Sequence, residues 1–227
     1  MTWFINFLTS SIGRKLLMAL TGLFLIVFLV VHVAGNLQLL KSDGGRAFNE
    51  YSQFMTSNTL IKIIGIVNYT FILLHVFVSV WLTRQNSTAR GGEGYAVSKN
   101  SSHWTSRNMG ILGTLILLFL IFHLKGFWYE MHFGGVDSVT YDDKPVKDLY
   151  SVVQAAYSQW WYVAIYLVGM AVLAFHLWHG FSSAFQTLGL NHPKYNPVIK
   201  FVGKAFAIIV PLLFAIIPVF MFLNITI

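Results

Sequence analysis

Five long stretches without a charged side chain dominate this sequence of 227 residues. Because about 20 apolar residues at a rise of 1.5 Å each cross the hydrocarbon core of a bilayer, stretches of this length predict membrane-spanning helices. We therefore predict an all-α integral membrane protein in which residues 1–227 form a single transmembrane domain, a bundle of five helices. The predicted spans lie at about 14–40, 60–83, 107–129, 159–187 and 199–225.

The composition leaves little chain for a soluble domain, since 56% of the residues are hydrophobic and 10% are charged. Any soluble chemistry is therefore expected to belong to a partner. The absence of cysteine excludes disulfides, iron–sulfur ligation and thiolate zinc sites within this chain. The first fifteen residues do not resemble a signal peptide, because their positive charges follow the short apolar stretch. We expect Thr9, Ser10 or Ser11 to cap the first long helix.

The net charge of +7 is distributed unequally between the two sides of the predicted bundle. The side with the N-terminus and the helix 2–3 and helix 4–5 loops has one acid, Glu93, and nine cations: Arg14, Lys15, Arg84, Arg90, Lys99, Arg107, Lys194, Lys200 and Lys204. The other side has six cations and seven acids. The positive-inside rule then predicts a cytoplasmic N-terminus and an outer C-terminus.

Five of the eight histidines lie inside predicted spans. They are His32 on helix 1, His75 on helix 2, His123 on helix 3, and the pair His176 and His179 on helix 4. An intramembrane histidine is either an interhelical hydrogen-bonding group or a functional residue. One histidine on each of four helices favours bis-imidazole haem b, in which two neutral imidazoles bind one iron from opposite faces. The remaining three, His103, His132 and His192, are predicted to be surface residues.

The depths of the histidines sort them into two levels. His32 and His123 lie 17 and 16 residues from the inner ends of their helices, whereas His75 and His176 lie 9 and 10 residues away. At 1.5 Å per residue these depths are about 25 Å and about 14 Å. Each level therefore predicts one pair of ligands. His179 lies 7 residues from the same end and fits the inner level less well than His176.

Four glycines follow the same two levels. Gly22 and Gly113 lie near the inner level, and Gly65 and Gly169 lie near the outer level. Each histidine helix thus carries a glycine near the level of the haem that it does not ligate, where a flat porphyrin needs room. The alternative interpretation is that these glycines only allow membrane helices to pack closely.

Two motifs and the four spaced histidines resemble a known family. The motifs are 10-SSIGRKLLMALTGLFL-25 and 176-HLWHGFSSAFQTLG-189. The chain resembles the membrane cytochrome b subunit of succinate dehydrogenase and fumarate reductase, in its single-chain, five-helix, two-haem form. The register of the second motif, with Gly180 four residues after His176, implies that His176 is a ligand. It implies a supporting role for His179 at a propionate or a structural water, and Arg14 is a further haem-pocket candidate.

The resemblance implies the cofactors and the partners. His32 and His123 would hold the outer (distal) haem b, and His75 and His176 the inner (proximal) one. A flavoprotein with FAD and an iron–sulfur protein would dock on the cytoplasmic face of a bacterial cytoplasmic membrane. The chain would be a subunit of this enzyme that does not contain the catalytic head. It would pass electrons from succinate to a quinone near the outer side, and menaquinone is the favoured quinone. No nucleic acid partner is expected.

The sequence departs from the family at one position and leaves the quinone site least defined. A fumarate-reducing relative has an acidic residue two positions before the helix 4 ligand, where this chain has Ala174. No Asp or Glu lies in a predicted span, so we carry over no transmembrane proton relay. For the quinone, the polar loop 47-AFNEYSQFMTSN-58 offers Asn49, Glu50 and Gln53 as candidates.

Two other functions remain open from the sequence. A haem b anchor of another quinone-linked oxidoreductase, of the hydrogenase or formate dehydrogenase type, commonly puts several ligands on fewer helices. A proton-coupled transporter with intramembrane histidines predicts no haem and usually a carboxylate among the spans.

Overall fold

A computed structural model describes residues 2–90 and 104–227 of the chain, and 82% of the structure is helical. Five helices are long and apolar enough to cross a membrane: Ser11–Leu40, Thr59–Ala89, Met109–Phe133, Trp160–Thr187 and Asn196–Phe222. Large apolar side chains such as Leu73, Val168 and Ile208 are exposed along them, as lipid contact requires. The predicted all-α, multi-pass membrane fold is confirmed.

Ten α-helices and one β-hairpin make up the described residues. In chain order they are α1 (Thr2–Thr9), α2 (Ser11–Asn36, continued by a 3-10 turn Leu37–Leu40), α3 (Arg46–Ser57), α4 (Thr59–Arg90), α5 (Trp104–Arg107), α6 (Met109–His123, continued by a π-helical segment Leu124–Tyr129), α7 (Glu130–Phe133), β1 (Ser138–Tyr141), β2 (Lys144–Lys147), α8 (Leu149–Tyr157), α9 (Trp160–Thr187) and α10 (Asn196–Phe222). Helix α9 packs against α10, α6 and α2, and α2 packs against α4. We call the end of the bundle at which α2 begins the inner end, and the opposite end the outer end.

Local sequence explains where the long helices begin and end. Ser10 caps α2, because its hydroxyl accepts a hydrogen bond from the Gly13 N–H at 3.0 Å. Helix α10 begins at Asn196 rather than 199, with Pro197 in its first turn, where the missing N–H costs no hydrogen bond. Helix α4 continues to Arg90 instead of ending at 83, because no Gly or Pro occurs between residues 83 and 90.

The third span is longer than predicted. It runs to Phe133 instead of 129, and Gly135 follows with φ +67°, a conformation that ends helices and favours glycine. The last turns therefore include Glu130, so the prediction that no acid lies in any span is wrong for this helix. Glu130 is paired with Lys125 at 2.6 Å, which offsets its charge near the outer end.

The outer end carries a small layer that the sequence did not predict. It consists of α3, the β1–β2 hairpin and α8, and we call it the outer cap. Residues 46–57 form α3 where a polar loop was expected. A helix of 12 residues is marginal alone, and tertiary packing stabilises it here. A core of buried residues joins the outer cap to the bundle: Leu39, Leu40, Phe48, Val153, Tyr157, Tyr162, Val163, Tyr166, Ile217 and Met221.

Asn49 is the polar centre of the outer cap. Its side chain is fully buried, at 0% exposure. Its amide nitrogen donates to Asp148 Oδ1 at 2.8 Å and to the Tyr141 hydroxyl at 3.2 Å, and its oxygen accepts from the Tyr150 N–H at 2.8 Å. One side chain thus connects α3, the hairpin and α8 by hydrogen bonds that no other group replaces if it is removed.

Replacing Asn49 by Ala should destabilise the outer cap by about 2 kcal/mol, because three partly buried partners lose their hydrogen bonds. Faster hydrogen exchange in residues 46–57 and 149–157 would report the loss. The exposed Gln53 lies on the same helix, so Gln53→Ala is the matched control and should leave exchange unchanged. Equal exchange in both variants would contradict a structural role for Asn49.

The same network makes the outer cap sensitive to acid. Burial disfavours the charged form of Asp148, but hydrogen bonds from Ser151 and Asn49 outweigh it and lower the pKa of the carboxyl. The contribution to stability is present above the ordinary pKa of about 3.9 and is lost as the pH falls through the lowered value. Protection of α8 from exchange should therefore weaken below about pH 4, and less so in Asn49→Ala.

Candidate functional site

Two pairs of histidines meet inside the bundle, and each pair joins two helices. The ring centroids of His32 on α2 and His123 at the end of α6 are 5.8 Å apart, with an interplanar angle of 88°. Those of His75 on α4 and His176 on α9 are 6.4 Å apart, at 64°. All four side chains are half-buried. These are the partners that the depth argument predicts, and we call them the outer pair and the inner pair.

The separations suit two imidazoles that share one metal ion. A metal–imidazole bond is about 2 Å long, as for zinc, and a ring nitrogen lies about 1.1 Å from the ring centroid, so two opposed ligands have centroids roughly 6.3 Å apart. The inner pair is at this distance, and the outer pair is somewhat closer together.

Thr21 determines which nitrogen of His75 carries the proton. The Thr21 hydroxyl is buried and donates to the Leu17 carbonyl at 2.7 Å. Its oxygen is 3.1 Å from His75 Nδ1. With the hydroxyl proton on the carbonyl, Nδ1–H donates to Thr21. The Nε2 of a neutral imidazole then keeps its lone pair, which is the state that binds a metal.

The outer pair has different polar neighbours. The hydroxyl of Tyr166 lies 3.0 Å from His123 Nδ1 and is able to donate or accept. The amide nitrogen of Asn36 donates to the His32 carbonyl at 2.8 Å, which fixes the orientation of the amide. The same nitrogen is 3.4 Å from His32 Nδ1, a long contact. Tyr166 is therefore the stronger polar support of this pair.

Aromatic rings surround the outer pair. Phe28 stacks on His32 with centroids 5.1 Å apart, and Phe119 stacks on His123 at 5.9 Å. The π-helical segment begins directly after His123, and within it Gly126 lets the hydroxyl of Tyr162 approach the backbone. A side chain at that glycine would displace Tyr162 and the rings stacked behind it. Such π-helical turns are frequent at functional sites.

His176 is the histidine without a polar support. Its Nδ1 is buried and has no hydrogen-bond partner within the described chain. A buried imidazole nitrogen without a partner costs about 1–3 kcal/mol, which is more typical of a binding group than of a packing residue. His179 lies one helical turn nearer the inner end and is half-buried. Its predicted supporting role stays a prediction.

The inner-level glycines lie beside the inner pair. A Cβ at Gly22 would be 3.4 Å from the Cε1 atom of His75. A Cβ at Gly113 would be 3.9 Å from the hydroxyl oxygen of Ser79, one turn inward of that histidine. Both glycines therefore lie near the level that their depth predicts.

The outer-level glycines differ from each other. Gly169 is covered by the ring of Phe119, which stacks on His123, so it lies near the outer pair. Gly65 has no heavy atom within 4 Å of an added Cβ, and the same holds for Gly180 on α9. Open space beside Gly65 is compatible with a flat ligand, whereas Phe119 would have to move for one to contact Gly169.

The quinone-site candidates all lie on α3 in the outer cap. Asn49 is fully buried and both polar atoms of its amide are hydrogen-bonded within the chain. Glu50 is exposed and paired with Arg46 at 2.8 Å, and Gln53 is exposed. The quinone assignment stays a prediction, and the exposed side chains of Glu50 and Gln53 are better placed than Asn49 to meet a ligand.

The histidines predicted to be surface residues are exposed wherever the structure describes them. His132 is exposed and its Nδ1 is 2.8 Å from the Trp128 carbonyl oxygen. His192 is exposed and its Nδ1 accepts from the Lys194 N–H at 3.2 Å. His103 lies outside the described residues.

Sequence reasoning missed the polar residues that contact the histidines. Thr21, Asn36 and Tyr166 are ordinary members of apolar helices, and their contacts depend on the rotation and register of neighbouring helices. The only available signal was helical spacing: Asn36 follows His32 by four residues, which places both on one face.

The donor set is suited to a metal that brings most of its own ligands. Within residues 2–90 and 104–227, no group of three or more His, Cys, Asp or Glu side chains could hold a metal ion. Two imidazoles are too few for a bare ion, whereas an iron whose other ligands are the nitrogens of a porphyrin would need only two more. Comparison with protein-family models, curated proteins and solved structures finds no match.

Proposed function

We propose that this chain is the di-haem cytochrome b membrane anchor of a succinate:quinone oxidoreductase, passing electrons between an iron–sulfur subunit and membrane quinone. The observation that carries the proposal is the contact between two imidazoles from different helices at each of two levels, with ring centroids 5.8 and 6.4 Å apart. FAD and iron–sulfur clusters would belong to partner subunits on the inner face. The membrane would be the bacterial cytoplasmic membrane, and menaquinone is the favoured substrate.

The residues around each pair fit this cofactor. Bound haem b would supply reversible one-electron chemistry within the bilayer. His75, held as the Nδ1–H tautomer by Thr21, would present Nε2 to iron, and His176 would face it from α9. Tyr166 would orient His123 opposite His32. Apolar rings pack against the outer pair, as a porphyrin site between helices would require.

Removing the hydroxyl of Thr21 should weaken the inner site. Valine has nearly the same shape but cannot accept the Nδ1–H of His75, so Thr21→Val should lower haem affinity at this site by about 10–100-fold. Thr21→Ser keeps the acceptor and is the matched control. Haem content after detergent dilution measures the effect, and equal retention in both variants would contradict the tautomer assignment.

A second oxidoreductase class remains the alternative. A haem b anchor of the hydrogenase or formate dehydrogenase type would share the bis-imidazole chemistry and the quinone. The distribution of ligands favours the first proposal, because each of four helices contributes one histidine to a pair. A transporter would use the histidines as proton carriers and would bind no haem. Glu130 alone among the acids lies in a spanning helix of the described chain, and it is paired with Lys125.

Two spectra distinguish these functions. A pyridine haemochrome assay on the purified protein should give two haems b per chain, and one or none would reject the proposal. Addition of succinate to the complex with its partner subunits should then reduce the haem. Reduction by hydrogen or formate but not by succinate would favour the alternative oxidoreductases, and a haem-free protein would favour the transporter.

A further inference from the structure

Arg14 is a buried cation at the inner end of the bundle. It lies in the first turns of α2 and is only 8% exposed. Its Nε is buried without a hydrogen-bond partner, and its guanidinium lies over the ring of Trp81 on α4, 4.8 Å from the centroid. Within the described residues, no acid forms an ion pair with it. Among the described residues, the guanidinium therefore contacts one aromatic ring and no anionic group.

This placement is unfavourable without an anion. Burial of an unpaired charge costs several kcal/mol, whereas a cation–π contact returns about 0.5–2 kcal/mol. The position within the helix adds to the cost, because the N-terminal turns carry the positive end of the helix dipole and no acid lies in the first turn of α2. An anionic oxygen group near Arg14 would relieve both effects.

The location of Arg14 indicates where such an anion comes from. Arg14 precedes Thr21 by seven residues, so both lie on the same face of α2, about 10 Å apart along the axis. Thr21 contacts His75 of the inner pair. Because a lipid-facing side chain would be exposed in this structure, the burial of Arg14 places its guanidinium between helices, inward of the inner pair.

We infer that Arg14 forms an anion site inside the bundle that binds a carboxylate of the tetrapyrrole held by His75 and His176. This inference rests on the proposed function. The propionate groups extend from one edge of a porphyrin, and an edge turned toward the inner end would bring a carboxylate to Arg14. The guanidinium would donate to it through two nitrogens, and the ring of Trp81 would keep the guanidinium plane in place. Arg14 is thus a positioning residue for the inner haem.

The test is a redox titration of Arg14→Gln, with Arg14→Lys and Lys15→Gln as companions. Loss of the positive charge makes addition of an electron less favourable, so Arg14→Gln should lower the midpoint potential of the inner component. A tenfold change in its reduction equilibrium would be a shift of about 59 mV for one electron. The inner component is the one that His75→Ala removes. Arg14→Lys keeps the charge and should show a smaller shift. Lys15 is exposed, and Lys15→Gln should show none.

The outcomes separate this inference from the proposed function. A wild-type protein without haem would reject both. Two haems with an unmoved inner potential in Arg14→Gln would reject only the anion site, as would an equal shift in Lys15→Gln. If Arg14→Gln does not accumulate, two other measurements test the charge role. The inner potential of Arg14→Lys should equal that of wild type, and the haem dimethyl ester, which lacks both carboxylates, should bind the wild-type protein more weakly than haem does. Equal binding of haem and ester would reject it. Loss of a co-purified phospholipid in Arg14→Gln, with the inner potential unmoved, would assign the site to a lipid phosphate and overturn the inference.

Discussion

Replacing His32 or His123 by Ala should remove the same one of two haems, and replacing His75 or His176 should remove the other. Under the proposed function each pair would supply two ligands to one iron, and the partners lie on different helices with ring centroids 5.8 and 6.4 Å apart. Loss of either imidazole leaves one bond where two are needed, so about half of the total haem should be lost in each variant. Redox titration of the four variants would identify which component disappears.

The control for this series is His132→Ala. His132 is exposed at the outer end and contacts a backbone carbonyl, so its replacement should leave both components unchanged. Removal of the same component by His32→Ala and His75→Ala would contradict the pairing. Loss of both components in every variant would indicate that the two sites assemble together.

The pairing was predictable because depth in a membrane helix follows from simple counting. Every helix rises by 1.5 Å per residue from the membrane surface at which it begins. Counting residues from the inner ends of the helices therefore places His32 and His123 at the same depth without any knowledge of packing. The spanning helices can be predicted equally well from the sequence. The hydrocarbon core excludes unpaired backbone groups, so a spanning chain forms either helices or a closed barrel. Membrane topology therefore constrains this chain more tightly than a soluble sequence of similar length is constrained.

The outer cap could not be predicted in the same way. Residues 46–57 have a polar, loop-like composition, and they form α3 because Asn49 binds Asp148 and Tyr150, about 100 residues later in the chain. The hairpin turn was not predicted either, because Asp142 and Asp143 adopt positive φ values of 47° and 61°, which are uncommon for residues other than glycine. Non-local partners decide α3, and counting along the sequence does not find them.

The polar contacts of the histidines lie between these two cases. Helical spacing relates Asn36 to His32, but the contact of Thr21 with His75 depends on the rotation of α2 against α4. The hydrogen bond of Tyr166 to His123 depends on the register of α6 against α9. The histidines of the candidate site can therefore be predicted from the sequence, whereas the polar groups that contact them cannot.

His176→Ala should lose the inner haem, whereas His179→Ala should keep it and change its potential. Residues three apart on a helix point within about 60° of each other, so rotation alone does not distinguish the two imidazoles. Position does, because His176 meets the ring of His75 at 6.4 Å, while His179 lies about 4.5 Å further toward the inner end. One imidazole from α9 would be sufficient, since α4 would supply the other ligand. His179 at that height would meet the edge of the porphyrin, where its N–H would stabilise a propionate carboxylate in an apolar setting. Electron paramagnetic resonance decides between them. A low-spin bis-histidine signal from the inner site that persists in His176→Ala and is lost in His179→Ala would reverse the assignment.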